Sequence, residues 1–412
     1  MNPDFISIPF LPGDGIGPEI MTAARIVVDQ AVHSAYGDSK NIEWKVVDGG
    51  KTAYEKSGEW LPRETLEAFR THRIGLKGPL TTPVGGGIRS LNVRLRQALD
   101  LFVCLRRVRW FEGLPSPHRN PQGIDLTIFR ENTEDIYTGI EYQAGSEKLH
   151  SWLKMYEDEF PEDFQRLPHP HECGIGIKPI SKHGSQRFVR ATLKWALANQ
   201  INRVTLVHKG NIMKFTEGAF RNWGYEIAET EFSEQVFTQQ QYKAIALESG
   251  IAAASEWKKQ SASTGKIWVD DVIADVAFEQ LITNPQSFDL IATTNLNGDY
   301  LSDAAAALAG GVGISPGGNI NFENRTAIFE ANHGSAESLA GKNRANPSSL
   351  ILSAEMMLRF MGWEEAADLV WNGVRSAIQS KMVTFDLASQ IGGAKAAGTQ
   401  EFTQNIIDSM HS

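Results

Sequence analysis

The sequence predicts an α/β fold divided into two or three domains, and three observations carry that expectation. Short apolar runs that read as strands alternate with longer segments of helical periodicity. Two of the strands, starting at Phe5 and at Ile74, run directly into polar turns rich in glycine and proline. The chain has 412 residues, 42% hydrophobic and 22% charged, which is enough for more than one sizeable core. A net charge of -9 argues against a nucleic-acid surface. Two cysteines, Cys104 and Cys173, make no disulfide scaffold and fit a reducing compartment. The start Met1-Asn2-Pro3-Asp4 lacks a basic leader, and no apolar run approaches about 18 residues, so a cytoplasmic protein without a membrane span is expected.

Taken in order, Phe5 to Phe10 is a strand, and Gly13-Asp14-Gly15-Ile16-Gly17-Pro18-Glu19 opens a helix running to about Val32. The third glycine of a G-x-G-x-x-G fingerprint would fall at Pro18, so an ordinary Rossmann phosphate loop is not expected. The strand at Ile74 leads through Gly78-Pro79 and a polar loop to Gly85-Gly86-Gly87-Ile88-Arg89-Ser90. Ser90 suits a helix N-cap, and Leu91, Leu95 and Leu99, four apart, give the short helix one apolar face. Leu101 to Leu105 is strand-like and delivers Arg106 at its end; Leu126 to Phe129 ends on Arg130, with Tyr137 close behind. Residues 138–181 are aromatic, acidic and broken by proline, as an insertion or arm would be. A helix over 188–198 precedes an alternating strand, Arg203 to His208, ending on Lys209. The stretch 232–266 reads as a surface excursion without chemistry, and the amphipathic helices 350–360 and 364–378 read as core.

Two constellations carry chemistry. Arg89, Arg94, Arg96, Arg106, Arg107 and Arg109 concentrate cations in an acidic protein. Converging guanidinium forks suit a small polycarboxylate, the bland alternative being a solvated basic face. Asp271 and Asp275 stand four apart, as do Asp299 and Asp303, and each pair is read as lining a helix face near its start. Either pair alone could be caps, but together, without His or Cys, they favour a hard cation such as Mg²⁺ or Mn²⁺. His169, His171 and Cys173 alternate as on a polar strand, without a fourth ligand for zinc. Gly313-Ile314-Ser315-Pro316-Gly317 mimics an esterase elbow, but Pro316 lacks the N–H that an oxyanion hole needs. Glu330 to Gly341 reads as a strand leading to a turn able to bring backbone N–H groups close to a ligand.

Gly13 to Gly17, Lys77-Gly78-Pro79, the Ser90 stretch, Phe129-Arg130-Glu131-Asn132, His208 to Lys214, Asn297-Gly298-Asp299 and Glu330 to Gly334 together resemble the β-decarboxylating dehydrogenases. Within that isocitrate/isopropylmalate dehydrogenase family the chain is most similar to the bacterial homodimeric isocitrate dehydrogenases, over nearly its whole length. The resemblance implies a three-layer α/β fold that is not Rossmann: a large domain from 1–101 and 310–412, a small domain from 102–134 and 182–309, and a clasp at 135–181 that intertwines two subunits. It implies Ser90, Asn92, Arg96, Arg106 and Arg130 as holders of isocitrate, Asp299 and Asp303 with Asp271 of the partner subunit as ligands of Mg²⁺ or Mn²⁺, and Tyr137 with a partner's Lys209 as proton carriers. Thr81, Asn211, His333, Gly334, Ser335, Ala336, Glu337, Ser338, Leu339 and Asn346 would bind the coenzyme. NADP-using relatives grip the 2′-phosphate with side chains at positions occupied here by Ser338, Leu339, Phe385 and Ser389. Their loss, with Glu337 available to a ribose hydroxyl, predicts NAD⁺, while Lys342 and Arg344 keep NADP⁺ as the alternative. The rival readings are a homoisocitrate or isopropylmalate dehydrogenase, a non-catalytic subunit of the same fold, or a Mg²⁺-dependent phosphate hydrolase.

Overall fold

The computed structural model describes residues 5–81 and 90–411. Gly85 to Gly87 and Arg89 of the arginine stretch lie outside the described residues. The strands in chain order are β1 (Phe5–Leu11), β2 (Asn41–Val46), β3 (Ile74–Lys77), β4 (Val103–Arg109), β5 (Asp125–Glu131), β6 (Glu141–Tyr142), β7 (Ile175–Gly176), β8 (Arg203–His208), β9 (Val236–Thr238), β10 (Ile267–Ile273), β11 (Leu290–Thr293), β12 (Pro316–Asn321), β13 (Thr326–Ala331), β14 (Met382–Thr384) and β15 (Lys395–Ala397). Eleven of them form one sheet in the order β2-β1-β3-β13-β12-β4-β5-β11-β8-β10-β9, while β6 with β7 and β14 with β15 make small separate pairs.

The outer stretches of the sheet are parallel, and the direction reverses at β13, β12, β4 and β5, which pair antiparallel. Strands from the two chain ends meet strands from the middle of the chain at the β12–β4 seam. Every residue of β11, β12 and β13 is buried, as strands covered on both faces must be. The helix Ser348–Phe360 is buried on all sides from Ser348 to Leu358 and packs between Gly17–Tyr36 and Glu364–Gln379, giving the core of that half.

Four local expectations are corrected. Asp271 belongs to β10 and only Asp275 lies in the following helix, Ala274–Thr283, so the two share no helix face. Arg106 sits in the middle of β4 rather than at its end. Residues 236–263 form a strand and two helices, the first opened by a capping box between Thr238 and Gln241. His169, His171 and Cys173 fall in a turn, with Cys173 Sγ donating to Pro168 O.

Candidate functional site

Cross-strand register builds one side of the site. Lys77 pairs with Glu330, Glu330 with Gly317, and Gly317 with Arg106, a single row across β3, β13, β12 and β4. Residues in register project from the same face of a sheet. Glycine is required in the middle, because a Cβ on Gly317 would lie 2.1 Å from Arg106 Nη1. Three cations reach the Glu330 carboxylate: Lys77 Nζ at 2.8 Å, Arg106 Nη2 at 4.0 Å, and Arg96 Nη2, from the helix Leu91–Ala98, at 2.9 Å. Asn319 Nδ2 donates to the same carboxylate at 2.7 Å. Burial alone would raise the Glu330 carboxyl, but the cations of Lys77, Arg96 and Arg106 outweigh it and hold it well below the usual carboxylate range.

Opposite this row, Gly298 lets the helix Asn295–Leu308 lie against β5, since a Cβ there would meet Arg130 Cβ at 2.5 Å. Arg130 Nε donates to Asn295 Oδ1 at 2.7 Å, and its Nη1 pairs with Asp299. Tyr137 donates its hydroxyl to Asp299 Oδ2 at 2.5 Å and places its ring 4.7 Å from the Arg130 guanidinium carbon. Burial and the bond to Asp299 push the Tyr137 hydroxyl up to about 12, so it stays protonated at neutral pH. Burial would raise Asp299, but Arg130 and the Tyr137 hydroxyl, with Arg96 and Arg106 adding to them, lower it. Arg96, Arg106 and Arg130 therefore act on one space. Arg96 Nε, Arg106 Nε and Nη1, Arg130 Nη2 and the acceptor Asn92 Oδ1 are buried without hydrogen-bond partners. Buried guanidinium donors are ordinarily satisfied, so a set of them around one space marks an anion site.

Ser90 occupies the N-cap position of Leu91–Ala98, yet its hydroxyl makes no capping bond. Leu91, Leu95 and Leu99 are buried as the spacing predicted. Arg107 and Arg109 turn to Asp125 and Arg94 is exposed, so the basic cluster divides and, among its described residues, only Arg96 and Arg106 enter the site.

The remaining predicted ligands lie elsewhere in the chain. Asp271 accepts from Tyr225 Oη at 2.6 Å and faces His208 Nε2 at 3.2 Å, while Lys209 pairs with Asp275. Asp303 accepts from Asn332 Nδ2 at 3.0 Å. Among the described residues no three His, Cys, Asp or Glu side chains converge as a metal cluster. One chain thus offers Asp299 and Asp303 a helical turn apart, hard oxygen donors suited to Mg²⁺ or Mn²⁺, and keeps Asp271 apart from them.

The glycine turn after β1 serves packing. A Cβ on Gly15, whose φ is +59°, would lie 2.0 Å from Ser335 O, and one on Gly13 would lie 2.4 Å from Pro79 O. Backbone, not phosphate, fills the concavity of that turn. Asp14 accepts from Thr81 N at 2.8 Å and Lys51 N at 2.9 Å, and Thr81 Oγ1 lies 2.8 Å from Ser335 Oγ and 2.9 Å from Glu337 Oε1. Gly334, Ala336, Glu337 and Ser338 are exposed around this turn, and Leu339 is half-buried. His333 Nδ1 donates to Gly334 O at 3.0 Å, leaving a buried Nε2 without a partner; burial lowers this imidazole, so Nε2 is a bare acceptor. Asn346 bonds Asp386 at 3.0 Å, and the exposed Arg344 stacks on Phe385 at 4.2 Å. Asn211 is exposed on the loop after β8, away from these groups in the sheet order.

A sequence profile described as isocitrate/isopropylmalate dehydrogenase matches residues 7–406. The chain belongs to this family. A Staphylococcus epidermidis protein named isocitrate dehydrogenase [NADP] is 53% identical over 400 residues, covering 97% of this chain and 94% of that one. A Pseudomonas aeruginosa protein of the same name is 49% identical over 407 residues, covering 98% and 93%. The crystal structure of isocitrate dehydrogenase from Methylococcus capsulatus superposes with a TM-score of 0.77 at 34% identity, covering 99% of this chain and 100% of that one. The three-layer α/β architecture of the family is therefore this chain's fold.

These relatives overturn the expectation of NAD⁺, because their names specify NADP. Glu337 and the four missing side chains are too narrow a basis for choosing the coenzyme. Glu337, assigned above to a ribose hydroxyl, is already engaged by the Thr81 hydroxyl, and Lys342 and Arg344 are exposed nearby in sequence. Loss of four phosphate-gripping side chains does not by itself remove the positive charge of the adenosine side. Lys77, Glu330, Asn319 and Gly317 were not assigned roles from sequence. The available signal was a charged residue near the end of a mostly apolar strand, at Lys77 in β3 and at Glu330 in β13.

Proposed function

We propose that the chain catalyses oxidative decarboxylation of isocitrate to 2-oxoglutarate and CO₂ with NADP⁺, as a cytoplasmic homodimer whose active sites are shared between subunits. The observation that carries this reading is the set of unpartnered guanidinium donors of Arg96, Arg106 and Arg130 beside the Tyr137–Asp299 pair. Three forks hold a tricarboxylate better than a monoacid, and Ser90 and Asn92 stand on the same short helix to receive its third carboxylate. When bound, Mg²⁺ or Mn²⁺ on Asp299 and Asp303, with Asp271 of the partner subunit, lends Lewis acidity to the substrate oxygens, and NADP⁺ accepts the hydride. Loss of CO₂ leaves a carbon that needs a proton, and Tyr137, protonated at neutral pH, would give it. Lys209 of the partner subunit completes the proton relay. Lys342 and Arg344 provide charge for the 2′-phosphate, with His333 Nε2 and the backbone of 333–339 taking the rest of the nucleotide.

Two facts support assembly and compartment. Leu247 and Ile251, on the helical pair after β9, are 90% and 73% exposed, apolar surface that suits a subunit contact. Cys104 and Cys173 are both free.

The test is the rise of NADPH absorbance with isocitrate and Mg²⁺, run beside NAD⁺ and beside isopropylmalate and homoisocitrate. Turnover of isocitrate with a higher kcat/KM for NADP⁺ is expected. A preference for NAD⁺ would overturn the coenzyme assignment, and turnover of isopropylmalate alone would overturn the substrate.

A further inference from the structure

Residues of the 135–181 segment reach the proposed site through one buried ion-pair chain. Lys178 Nζ pairs with Asp135 Oδ1 and, at 2.9 Å, with Glu217 Oε1. The two carboxylate side chains are only 1% and 0% exposed. Asp135 takes a left-handed backbone, φ 68°, two residues before Tyr137, and its Oδ2 accepts from Leu296 N at 3.0 Å, at the start of the Asp299 helix. Glu217 accepts from Lys209 N at 2.9 Å and Asn297 Nδ2 at 2.8 Å on one oxygen, and from Thr294 Oγ1 at 2.8 Å on the other. The Tyr137 segment, the helix bearing Asp299 and Asp303, and the Lys209 loop, whose lysine would serve the partner subunit's site, thus converge on two acids bridged by Lys178.

We infer that Lys178 is a positioning residue that fastens the 135–181 segment to the Lys209 loop and to the Asp299 helix. The inference rests on the isocitrate chemistry proposed above. The remaining partners of the two acids are neutral N–H and O–H donors, which bond carboxylates but do not cancel charge. Without Lys178, two buried carboxylates face each other unpaired, and they separate or take up protons. Separation moves Asp135 with Tyr137 in one direction and Glu217 with Lys209 in the other. Residues that hold ligands through such outer contacts affect metal affinity and activity by about 10–100-fold.

The experiment compares wild type, Lys178→Met, Lys178→Arg and Glu217→Gln in the full chain. Steady-state kcat and KM for isocitrate, the pH profile of kcat, and Mn²⁺ affinity by electron paramagnetic resonance are read on samples whose circular dichroism is native. Lys178→Met is expected to lose about 10–100-fold in kcat and a similar factor in Mn²⁺ affinity, with Lys178→Arg recovering most of both. A folded Lys178→Met with wild-type kcat and Mn²⁺ affinity would overturn the inference. If Lys178→Met does not fold, Glu217→Gln decides by the same two readouts. Failure of the wild type to oxidise isocitrate would instead sink the proposed reaction, and the Mn²⁺ comparison would still judge Lys178.

Discussion

Glu330→Gln is the sharpest test of the arginine site. The substitution keeps the side chain's shape and one acceptor oxygen but removes the buried anion that Lys77 at 2.8 Å, Arg96 at 2.9 Å and Arg106 at 4.0 Å share. All four side chains are buried, so solvent screens the loss little. Breaking a buried pair from one side destabilises by about 3–5 kcal/mol, because the partner charges remain. With a urea slope of about 3 kcal/mol per molar for a chain at the large end, the unfolding midpoint falls by about 1–1.7 M at pH 7. The pH dependence has a defined sign. Glu330 ionises in the folded protein well below its unfolded value of 4.5, so its contribution is present above that value and lost as pH falls through the folded one. The gap between wild type and variant should therefore narrow below about pH 4.5. Saturating isocitrate should raise the variant's midpoint more than the wild type's, since an anionic ligand enters a site with one more net positive charge. A midpoint within about 0.2 M of wild type at pH 7, or a gap that does not narrow in acid, would refute the account of Glu330 as the counter-ion of the row.

Three further substitutions test separate parts of the site. Tyr137→Phe removes the hydroxyl proton that Tyr137 donates to Asp299 and should lower kcat by about 10²–10⁴-fold in steady-state assays while leaving the fold unchanged by circular dichroism; a loss below about threefold would remove Tyr137 from the proton relay. Gly317→Ala brings a Cβ to 2.1 Å from Arg106 Nη1, the far end of a flexible side chain, so the guanidinium should swing aside and KM for isocitrate rise with little change in thermal midpoint. Gly15→Ala meets backbone instead, Ser335 O at 2.0 Å with φ +59°, and should lower the thermal midpoint and raise KM for NADP⁺ together; an unchanged midpoint would show that the turn relaxes freely.

Local features of the fold were legible where periodicity is unambiguous. The buried leucines of Leu91–Ala98, the strand Arg203–His208 and the two C-terminal helices follow directly from spacing. Single-element reading failed where a neighbour decides the outcome. The four-residue spacing of Asp271 and Asp275 is helical arithmetic, but Asp271 pairs in register with Leu206 of β8 and is a strand residue. Six arginines looked like one cluster, yet strand alternation sends Arg106 to one face and Arg107 and Arg109 to the other, where Asp125 neutralises them.

The same reasoning explains why the anion site was visible but its counter-charge was not. Arg106 and Arg130 are legible because guanidinium groups are rare in apolar strands and need partners, and Arg96 because it follows on the leucine-faced helix beside them. The role of Glu330 depends on register: it is opposite Lys77 on one side and Gly317 on the other only because β13 pairs parallel with β3 and antiparallel with β12. A one-residue slip of either ladder would turn Glu330 to the other face and leave the arginines without an internal anion. Gly317 is the smallest element of this arrangement and the least readable in sequence, where it sat inside an esterase-like motif. Its absent side chain is what lets Arg106 reach across β12 toward Glu330, so the register set by the antiparallel pairing of β12 with β4 and β13 is the physical origin of this part of the candidate site.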